Sequence, residues 1–163
     1  MRNLYAPWRM EYIDSPPADG CLFCRVRQAP IEDDRKNLVV HRAPDALVLM
    51  NRFPYNNGHL MVAPKAHLPN LEDLPATSAN DVTALTQRAL RVLREVLSPD
   101  GFNLGINAGK IAGAGVADHV HQHIVPRWGG DTNFMPVVGE TKILNEHLTN
   151  SYQKLRAGFD SLP

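Results

Sequence analysis

The chain has 163 residues, of which 44% are hydrophobic and 21% are charged, as is ordinary for one soluble globular domain with its own core. Lysine plus arginine number 17, and aspartate plus glutamate also number 17. Because no net charge attracts nucleic acid or an anionic membrane, any bound anion must be held by local geometry.

The N-terminal segment, residues 1–20, is predicted to be an irregular arm because it contains Pro7, Pro16, Pro17 and Gly20. Its start is aromatic and charged and carries no apolar signal core. No apolar run in the chain approaches the ~20 residues that a membrane-spanning helix needs. We therefore expect a cytoplasmic protein that has neither nucleic acid nor a membrane as its partner.

The only two cysteines, Cys21 and Cys24, have the spacing C-x2-C. In a cytosolic protein this spacing favours a metal site or a redox pair over a structural disulfide. A tetrahedral zinc site needs two more ligands, and His67 and His119 would complete a Cys2His2 set. Two inert thiols or a redox pair remain the alternatives.

Three strands are predicted in the first part of the chain. Residues 38–40 and 46–50 are short apolar runs separated by the turn signal at residues 44–45, which is typical of a hairpin. After a loop at residues 53–58, residues 59–63 form the third predicted strand.

An amphipathic helix is predicted over residues 82–97, because its apolar residues recur three or four positions apart. Its N-cap is expected at Thr77, Ser78 or Asn80, and Pro99 lies beyond its end. Two further strands are predicted downstream at residues 102–107 and 120–125, and a last helix at about residues 142–155.

This order of elements favours an antiparallel α+β fold, since the strands outnumber the helices and short turns join most of them. We expect about five strands with one helix packed across the sheet and a C-terminal helix. Residues 1–163 are interpreted as a single domain, with an arm at 1–20 and an extension at 128–163.

A row of three histidines, His119, His121 and His123, occupies alternate positions and would share one face of a strand. The row could be structural, although idle imidazoles are costly to bury. It could also hold a catalytic zinc ion with a bound hydroxide, but same-face positions ~7 Å apart suit two ligands better than three. A histidine nucleophile flanked by two helpers agrees best with this geometry.

The loop before the row, residues 108–115, is too rich in glycine for a regular element. Backbone amides that glycine frees from secondary structure can converge on a phosphate, and Lys110 adds a positive charge. Gly113, Ala114 and Gly115 are the candidates, because they would bring phosphate oxygens next to the imidazoles.

The segment His119-Val120-His121-Gln122-His123-Ile124-Val125 resembles the His-φ-His-φ-His-φ-φ signature of the histidine triad (HIT) family, with Gln122 at one apolar position. Residues 51–59 and 64–67 are similar to two upstream segments of that family. The resemblance covers about residues 20–127. Residues 127–134 and 6–9 further resemble the bacterial branch related to diadenosine tetraphosphate hydrolases and phosphorylases.

The resemblance implies a role for each histidine of the row and for His59, which together form the expected catalytic set. His121 would attack the α-phosphorus of a nucleotide and become nucleotidylated, and His123 would hydrogen-bond the phosphate oxygens. His59 would pack against the row and hold it in register. In zinc-bearing members two cysteines, a histidine placed like His67 and the first histidine of the row bind a structural zinc ion, which here implies Cys21, Cys24, His67 and His119.

Nucleotide contacts are implied for Asn51, which would bind the ribose, and for Asn107, which would bind a phosphate oxygen. Many relatives carry a hydroxyl side chain shortly before the row, whereas this chain has Gly113-Ala114-Gly115-Val116. The phosphate would then depend more on backbone amides.

The implied function is hydrolysis or transfer of a nucleoside monophosphate from a dinucleoside polyphosphate, through a covalent nucleotidyl-histidine. A phosphorylase that uses inorganic phosphate is the alternative within enzymes. A nucleotide-binding regulator with incidental slow chemistry is the alternative outside them. The resemblance also implies a homodimer.

Overall fold

The structure is a computed structural model that describes residues 20–133, 135–138 and 143–162. The predicted arm lies outside these residues apart from Gly20, and so does residue 142, the predicted start of the last helix. No helix among the described residues is long and apolar enough to cross a membrane.

The described residues contain a five-stranded sheet in which every neighbouring pair is antiparallel. The strands are β1 (Val39–Arg42), β2 (Ala46–Met50), β3 (Leu60–Pro64), β4 (Gly101–Ile106) and β5 (Gln122–Arg127). Their order is β1-β2-β3-β5-β4, so β4 and β1 are the two edges. The predicted antiparallel sheet of about five strands is confirmed.

Helices flank the sheet on both faces. They are α1 (Leu22–Gln28), α2 (Asp34–Asn37), α3 (Ala76–Leu97), α4 (Met135–Val138) and α5 (Leu148–Ser161). The first face of the sheet packs against α3 and α5, where Leu93 and Leu155 are fully buried. The second face packs against α1 through Phe23 and Val26.

Burial on both faces explains why β2 and β3 have continuous apolar sequences. Along β2 and β3, Val48 and Val62 face the first cluster, whereas Leu49 and Met61 face the second. The apolar residues of the second cluster lie at the β1–β3 side of the sheet. The β5 and β4 side of that face therefore remains available for polar residues.

The predicted N-caps of the long helix are wrong. The helix begins at Ala76 and its N-cap is Pro75, whose carbonyl accepts the amide N–H of Ala79. Thr77 and Ser78 consequently lie inside the first turn. The apolar periodicity is present only in the part of α3 that packs on the sheet. The polar first turn lacks it and was therefore not predicted.

The predicted bounds of the last helix are also wrong, since α5 runs from Leu148 to Ser161. His147 is its N-cap and accepts the amide N–H of Thr149. Glycine is unfavourable inside a helix, but a Cβ at Gly158 would lie 2.8 Å from side-chain atoms of Val92 and Val96. Glycine there permits the close approach of α5 to α3, and the helix continues through it.

Candidate active site and metal centre

The three histidines of the row lie at the start of β5. The predicted strand at residues 120–125 begins two residues too early, because β5 starts at Gln122 and His123 alone of the row is in it. The three imidazoles nevertheless share one side. The ring of Phe23 lies 5.0 Å from that of His119 and 4.8 Å from that of His121, which in turn lies 4.9 Å from His123.

His119 turns its Nδ1 atom away from the row. Its Nε2–H donates to the carbonyl oxygen of Pro64 at 2.8 Å, which leaves the lone pair on Nδ1. That Nδ1 lies 3.3 Å from Cys21 Sγ and 3.8 Å from Cys24 Sγ. The same Nδ1 lies 3.3 Å from His67 Nδ1, which is itself 3.3 Å from Cys24 Sγ.

The Cys21, Cys24, His67 and His119 set fits a four-coordinate metal ion, since its ligand atoms all lie within 4.8 Å of one another. A tetrahedral ion with ordinary zinc bonds would separate two nitrogens by ~3.3 Å and a nitrogen from a sulfur by ~3.6 Å. Burial and the neighbouring Cys21 raise the pKa of the Cys24 thiol, an effect that a bound cation would reverse. The carbonyl of Pro64 fixes the His119 tautomer that such a site needs.

His121 is held in the opposite tautomer. Its Nδ1–H donates to the backbone oxygen of His119 at 2.8 Å, which leaves the lone pair on Nε2. The side chain is buried, and burial lowers its pKa despite the opposing hydrogen bond. The ring is therefore neutral near pH 7, the form in which imidazole is a nucleophile.

His59 and His123 are joined in a hydrogen-bonded pair. The amide N–H of Tyr55 donates to His59 Nδ1 at 3.1 Å, so the His59 proton lies on Nε2 and is donated to His123 Nδ1 at 2.9 Å. This places the ring proton of His123 on Nε2. Burial, with smaller contributions from His123 and His121, lowers the pKa of His59 to about 3. The His59 ring is therefore neutral, and its hydrogen bond to His123 Nδ1 makes the Nε2–H of His123 the donor.

The two predicted nucleotide-binding asparagines lie on opposite sides of His123. Asn51 follows β2, and its Oδ1 accepts the amide N–H of Phe53 at 2.9 Å. Asn107 follows β4 and lines a cavity of about 420 Å³ together with His123. Across the strands, Leu49 pairs with Met61 and Met61 with His123, which places β2 on one side of His123 and β4 on the other.

The glycine-rich loop forms a compact turn before the row. Gly109 and Gly113 have φ of 81° and 90°, which favours glycine at both positions. The amide of Gly113 donates to the Lys110 oxygen and that of Ala114 to the Gly109 oxygen, at 3.0 and 3.3 Å. These two amides are engaged within the loop in this conformation. The phosphate-binding role of Gly113, Ala114 and Gly115 stays a prediction.

A polar network at the far end of the cavity was not predicted from the sequence. Arg127 forms two bonds to Asp131, from Nε to Oδ2 at 2.6 Å and from Nη2 to Oδ1 at 3.0 Å. Its Nη1 donates to Asn103 Oδ1 at 2.7 Å, and Asp131 also accepts from Asn56 Nδ2 at 2.9 Å. The two-residue period that identified the histidines reaches Arg127, so that signal could have found it.

Comparison with protein families shows that residues 32–130 match the HIT domain. A protein of Mycobacterium tuberculosis (strain H37Rv) named AP-4-A phosphorylase is 37% identical over 161 residues, which cover 95% of this chain and 83% of that protein. An uncharacterized HIT-like protein of Methanocaldococcus jannaschii is 32% identical over 111 residues, which cover 68% of this chain and 81% of that protein.

Among solved structures, a zinc-bound histidine triad family protein from Mycobacterium smegmatis superposes with a TM-score of 0.67 and is 30% identical. The superposition covers 86% of this chain and 94% of that chain. The M. smegmatis protein is zinc-bound, and the two chains share the fold described above.

Proposed function

The chain belongs to the HIT domain family, and from that premise we propose that it is an enzyme that cleaves dinucleoside polyphosphates through a nucleotide bound covalently to His121. The name of the M. tuberculosis relative, AP-4-A phosphorylase, supports this substrate class. The observation that carries the proposal is the tautomer of His121. Its Nδ1–H is held by the His119 oxygen, so a buried neutral imidazole offers its Nε2 lone pair.

The reaction proceeds in two displacements. His121 Nε2 attacks the α-phosphorus, the N–P bond forms, and the bond from phosphorus to the leaving polyphosphate oxygen breaks. The Nε2–H of His123 donates to a phosphate oxygen and stabilises the negative charge that develops in the transition state. A polyphosphate leaves as a stable anion and needs little proton donation. Water or inorganic phosphate then attacks the same phosphorus and releases the nucleotide from His121.

The roles of the two asparagines are carried over from the family resemblance. We propose that Asn51 binds the ribose and that Asn107 binds an oxygen of the α-phosphate. The glycine-rich loop at residues 108–115 adds backbone amides to the phosphate site once its internal hydrogen bonds open.

We propose that the metal is zinc and that Cys21, Cys24, His67 and His119 hold it in a structural role. The Cys2His2 donor set suits zinc, and such closed sites stabilise the fold without binding substrate. The four residues would join the start of α1 to the segment after β3 and to the start of the histidine row. The thiols that bind it require a reducing compartment, which supports a cytoplasmic location.

A homodimer is proposed as well. β4 is an edge strand, paired with β5 alone in the described sheet, and Leu104 on it is 48% exposed. An exposed edge with an apolar side chain can pair with the same edge of a second copy.

Product analysis with diadenosine tetraphosphate tests the reaction class. Attack at the α-phosphorus with water as acceptor yields AMP and ATP, and with inorganic phosphate it yields ADP and ATP. The relative's name favours the phosphorylase alternative, in which product formation depends on added phosphate. Turnover too slow to deplete a bound nucleotide under both conditions would instead favour a nucleotide-binding regulator.

The covalent intermediate has its own test. Rapid quenching into alkali should show a mass increase of one nucleoside monophosphate on the peptide that contains His121, because a P–N bond survives alkali better than acid. Two inversions at a chiral α-phosphorus should give net retention. Net inversion in single turnovers would mean that displacement happened once, without a nucleotidyl-histidine.

A further inference from the structure

The cavity of about 420 Å³ lies along β4 and β5 on the second face of the sheet. Its lining runs from His123 past Val125 to Arg127, and on the neighbouring strand from Asn107 to Asn103. Among the described residues, His121 does not line the cavity. The cavity therefore begins at His123, the last histidine of the row, and extends away from the proposed nucleophile.

In-line displacement fixes the direction in which a leaving group departs. The attacking and leaving atoms lie on opposite sides of the phosphorus, so a group displaced by His121 moves away from His121. The residues His121, His123 and Arg127 follow one another along the same side of the chain, and β5 advances ~3.3 Å per residue. The cavity lies on the side of His123 away from His121, and we expect the outgoing group to enter it.

The ribose of the retained nucleotide is proposed to lie on the other side of His123. Asn51 follows β2, which is separated from β5 by β3. Asn51 is not among the lining residues of the cavity, which is built on β5 and β4 with Tyr55 and Asn56 from the loop after β2. The cavity is therefore distinct from the position proposed for the retained nucleoside.

The far wall of the cavity carries the guanidinium group of Arg127, which is paired with Asp131. Three of the five N–H groups of Arg127 are directed to Asp131 and Asn103, and two are engaged by no described residue. The carboxylate of Asp131 is 8% exposed and also accepts from Asn56 Nδ2 and from the Trp128 amide. Asp131 also lines the cavity, but its side chain is largely buried, whereas the Arg127 side chain remains 46% exposed.

The distance between His123 and Arg127 limits which ligands can contact both residues. Four residues of extended strand place Arg127 ~13 Å from His123 along β5. A ligand that reaches from the α-phosphate to Arg127 must be a multiply charged chain and not a single leaving atom.

We propose that the cavity between His123 and Arg127 binds the polyphosphate chain on the leaving side, with Arg127 as the residue that holds its distal phosphates and Asp131 as a positioning residue. The assignment rests on the proposed function of His121. Inorganic phosphate offers the same chemistry, because an acceptor must also approach the phosphorus opposite the His121 nitrogen.

Two substrates with the same adenylyl group and different leaving groups test the assignment. Diadenosine tetraphosphate expels a polyphosphate, whereas adenosine 5′-phosphoramidate expels ammonia and has no chain to fill the cavity. Loss of one charge-assisted hydrogen bond lowers a rate about tenfold to hundredfold. Arg127→Gln should lower kcat/KM for the tetraphosphate by that factor and change kcat/KM for the phosphoramidate by less than about threefold.

The control variant is Arg35→Gln, which removes an exposed arginine far from the cavity and should alter neither substrate's kcat/KM. Arg127→Lys should restore part of the tetraphosphate activity. If Arg127→Gln fails to fold, Asn103→Asp supplies the test, since it is nearly isosteric and adds a negative charge to the same wall. It should lower kcat/KM for the tetraphosphate selectively.

An equal loss on both substrates in folded variants would overturn the assignment. Wild-type protein that turns over neither substrate would overturn the proposed function, and the assignment with it. Phosphorolysis of the phosphoramidate distinguishes the two sources of phosphate. If Arg127→Gln raises the KM for inorganic phosphate, the cavity also binds the phosphate acceptor. If that KM is unchanged while kcat/KM for the tetraphosphate falls selectively, the cavity binds only the leaving polyphosphate.

Discussion

Three chemically identical imidazoles are held in different orientations because the protein binds a different nitrogen of each. The carbonyl of Pro64 holds the Nε2–H of His119, and the carbonyl of His119 holds the Nδ1–H of His121. His59 donates to Nδ1 of His123. The lone pair of His119 consequently faces the two cysteines, that of His121 is on Nε2, and His123 keeps a proton to donate.

At the residue scale, His121→Asn should abolish turnover while nucleotide binding persists, because the variant lacks the nucleophilic nitrogen but retains a polar side chain of similar reach. Steady-state rates and a binding titration on the same preparation measure both. Activity within about tenfold of wild type, a change of only ~1.4 kcal/mol in transition-state stabilisation, would exclude His121 as the nucleophile.

A second prediction concerns pH and His59. Its pKa in the folded state is about 3, below the ordinary value of 6.5, so the unfolded chain binds its proton first as pH falls. The neutral ring thus contributes full stability above about pH 6.5, and this contribution is lost progressively toward pH 3, with a slope of up to ~1.4 kcal/mol per pH unit.

Denaturant unfolding at pH 7, 6, 5 and 4 checks this by comparing the wild type with His59→Gln, which cannot titrate. The difference in free energy of unfolding between the two proteins should shrink as pH falls. A difference that stays constant over this range would show that His59 does not titrate with a depressed pKa.

At the element scale, the short helix α1 joins the candidate metal centre to the histidine row. Cys21 caps the helix and Cys24 lies one turn later, so the C-x2-C spacing points both thiols to one side. Phe23 lies between them in sequence and packs against the rings of His119 and His121. An element of seven residues thus supports two functional groups.

Loss of a metal ligand should destabilise the protein. Cys24→Ser is expected to lower the melting temperature and reduce zinc stoichiometry to near zero, because structural zinc adds its binding free energy to folding. Elemental analysis and thermal unfolding measure the two effects, and chelation of wild-type protein is the matched control. Wild-type protein purified without chelator and found free of metal would refute the site.

Phe23 should matter for both stability and catalysis. Phe23→Ala removes a ring that is 1% exposed and should cost about 3–5 kcal/mol of unfolding free energy. It should also lower kcat at temperatures where the variant is folded, because the ring packs on His121. Val26→Ala, on the same helix and fully buried, is the control that should lose stability with unchanged kcat. Equal effects of the two variants on kcat would limit Phe23 to a packing role.

At the scale of the whole molecule, the two edges of the sheet differ. On β1, the carbonyls of Val39 and Val40 accept hydrogen bonds from Tyr152 and Arg156 of α5, so a helix covers that edge. On β4, Asn103, Leu104 and Gly105 are exposed. The open edge and the proposed leaving-group cavity therefore lie at the same side of the sheet.

The open edge predicts the oligomeric state. Leu104→Lys should convert a dimer to a monomer by placing a charge at the apolar edge, as measured by sedimentation equilibrium at micromolar concentration. Leu71→Lys is the control, since Leu71 is equally exposed, at 50%, and lies off the sheet. Wild-type protein that sediments as a monomer, or a Leu104→Lys dimer as tight as the wild type, would contradict the prediction.

Local patterns carried much of the fold prediction. The strands were found because apolar residues and turn signals are local properties, and the shared side of the histidines followed from a two-residue period. The helix α1 was not predicted because seven residues are too few to show a periodicity. The end of α5 was not predicted because the packing of Gly158 against α3, which favours glycine inside this helix, is a tertiary contact.

The sequence by itself determined the chemistry available to this protein: three alternating histidines, two cysteines one helical turn apart and a glycine-rich loop. Only the tertiary structure determined which nitrogen of each imidazole carries the proton and which groups it contacts. The hydrogen bonds that His119 donates to the Pro64 carbonyl and that His59 donates to His123 join residues 55 and 64 positions apart. Each imidazole tautomer, and the fork between Arg127 and Asp131 at the cavity, depends on which groups the folded backbone brings within hydrogen-bond distance. No residue type or spacing in the sequence specifies those distances.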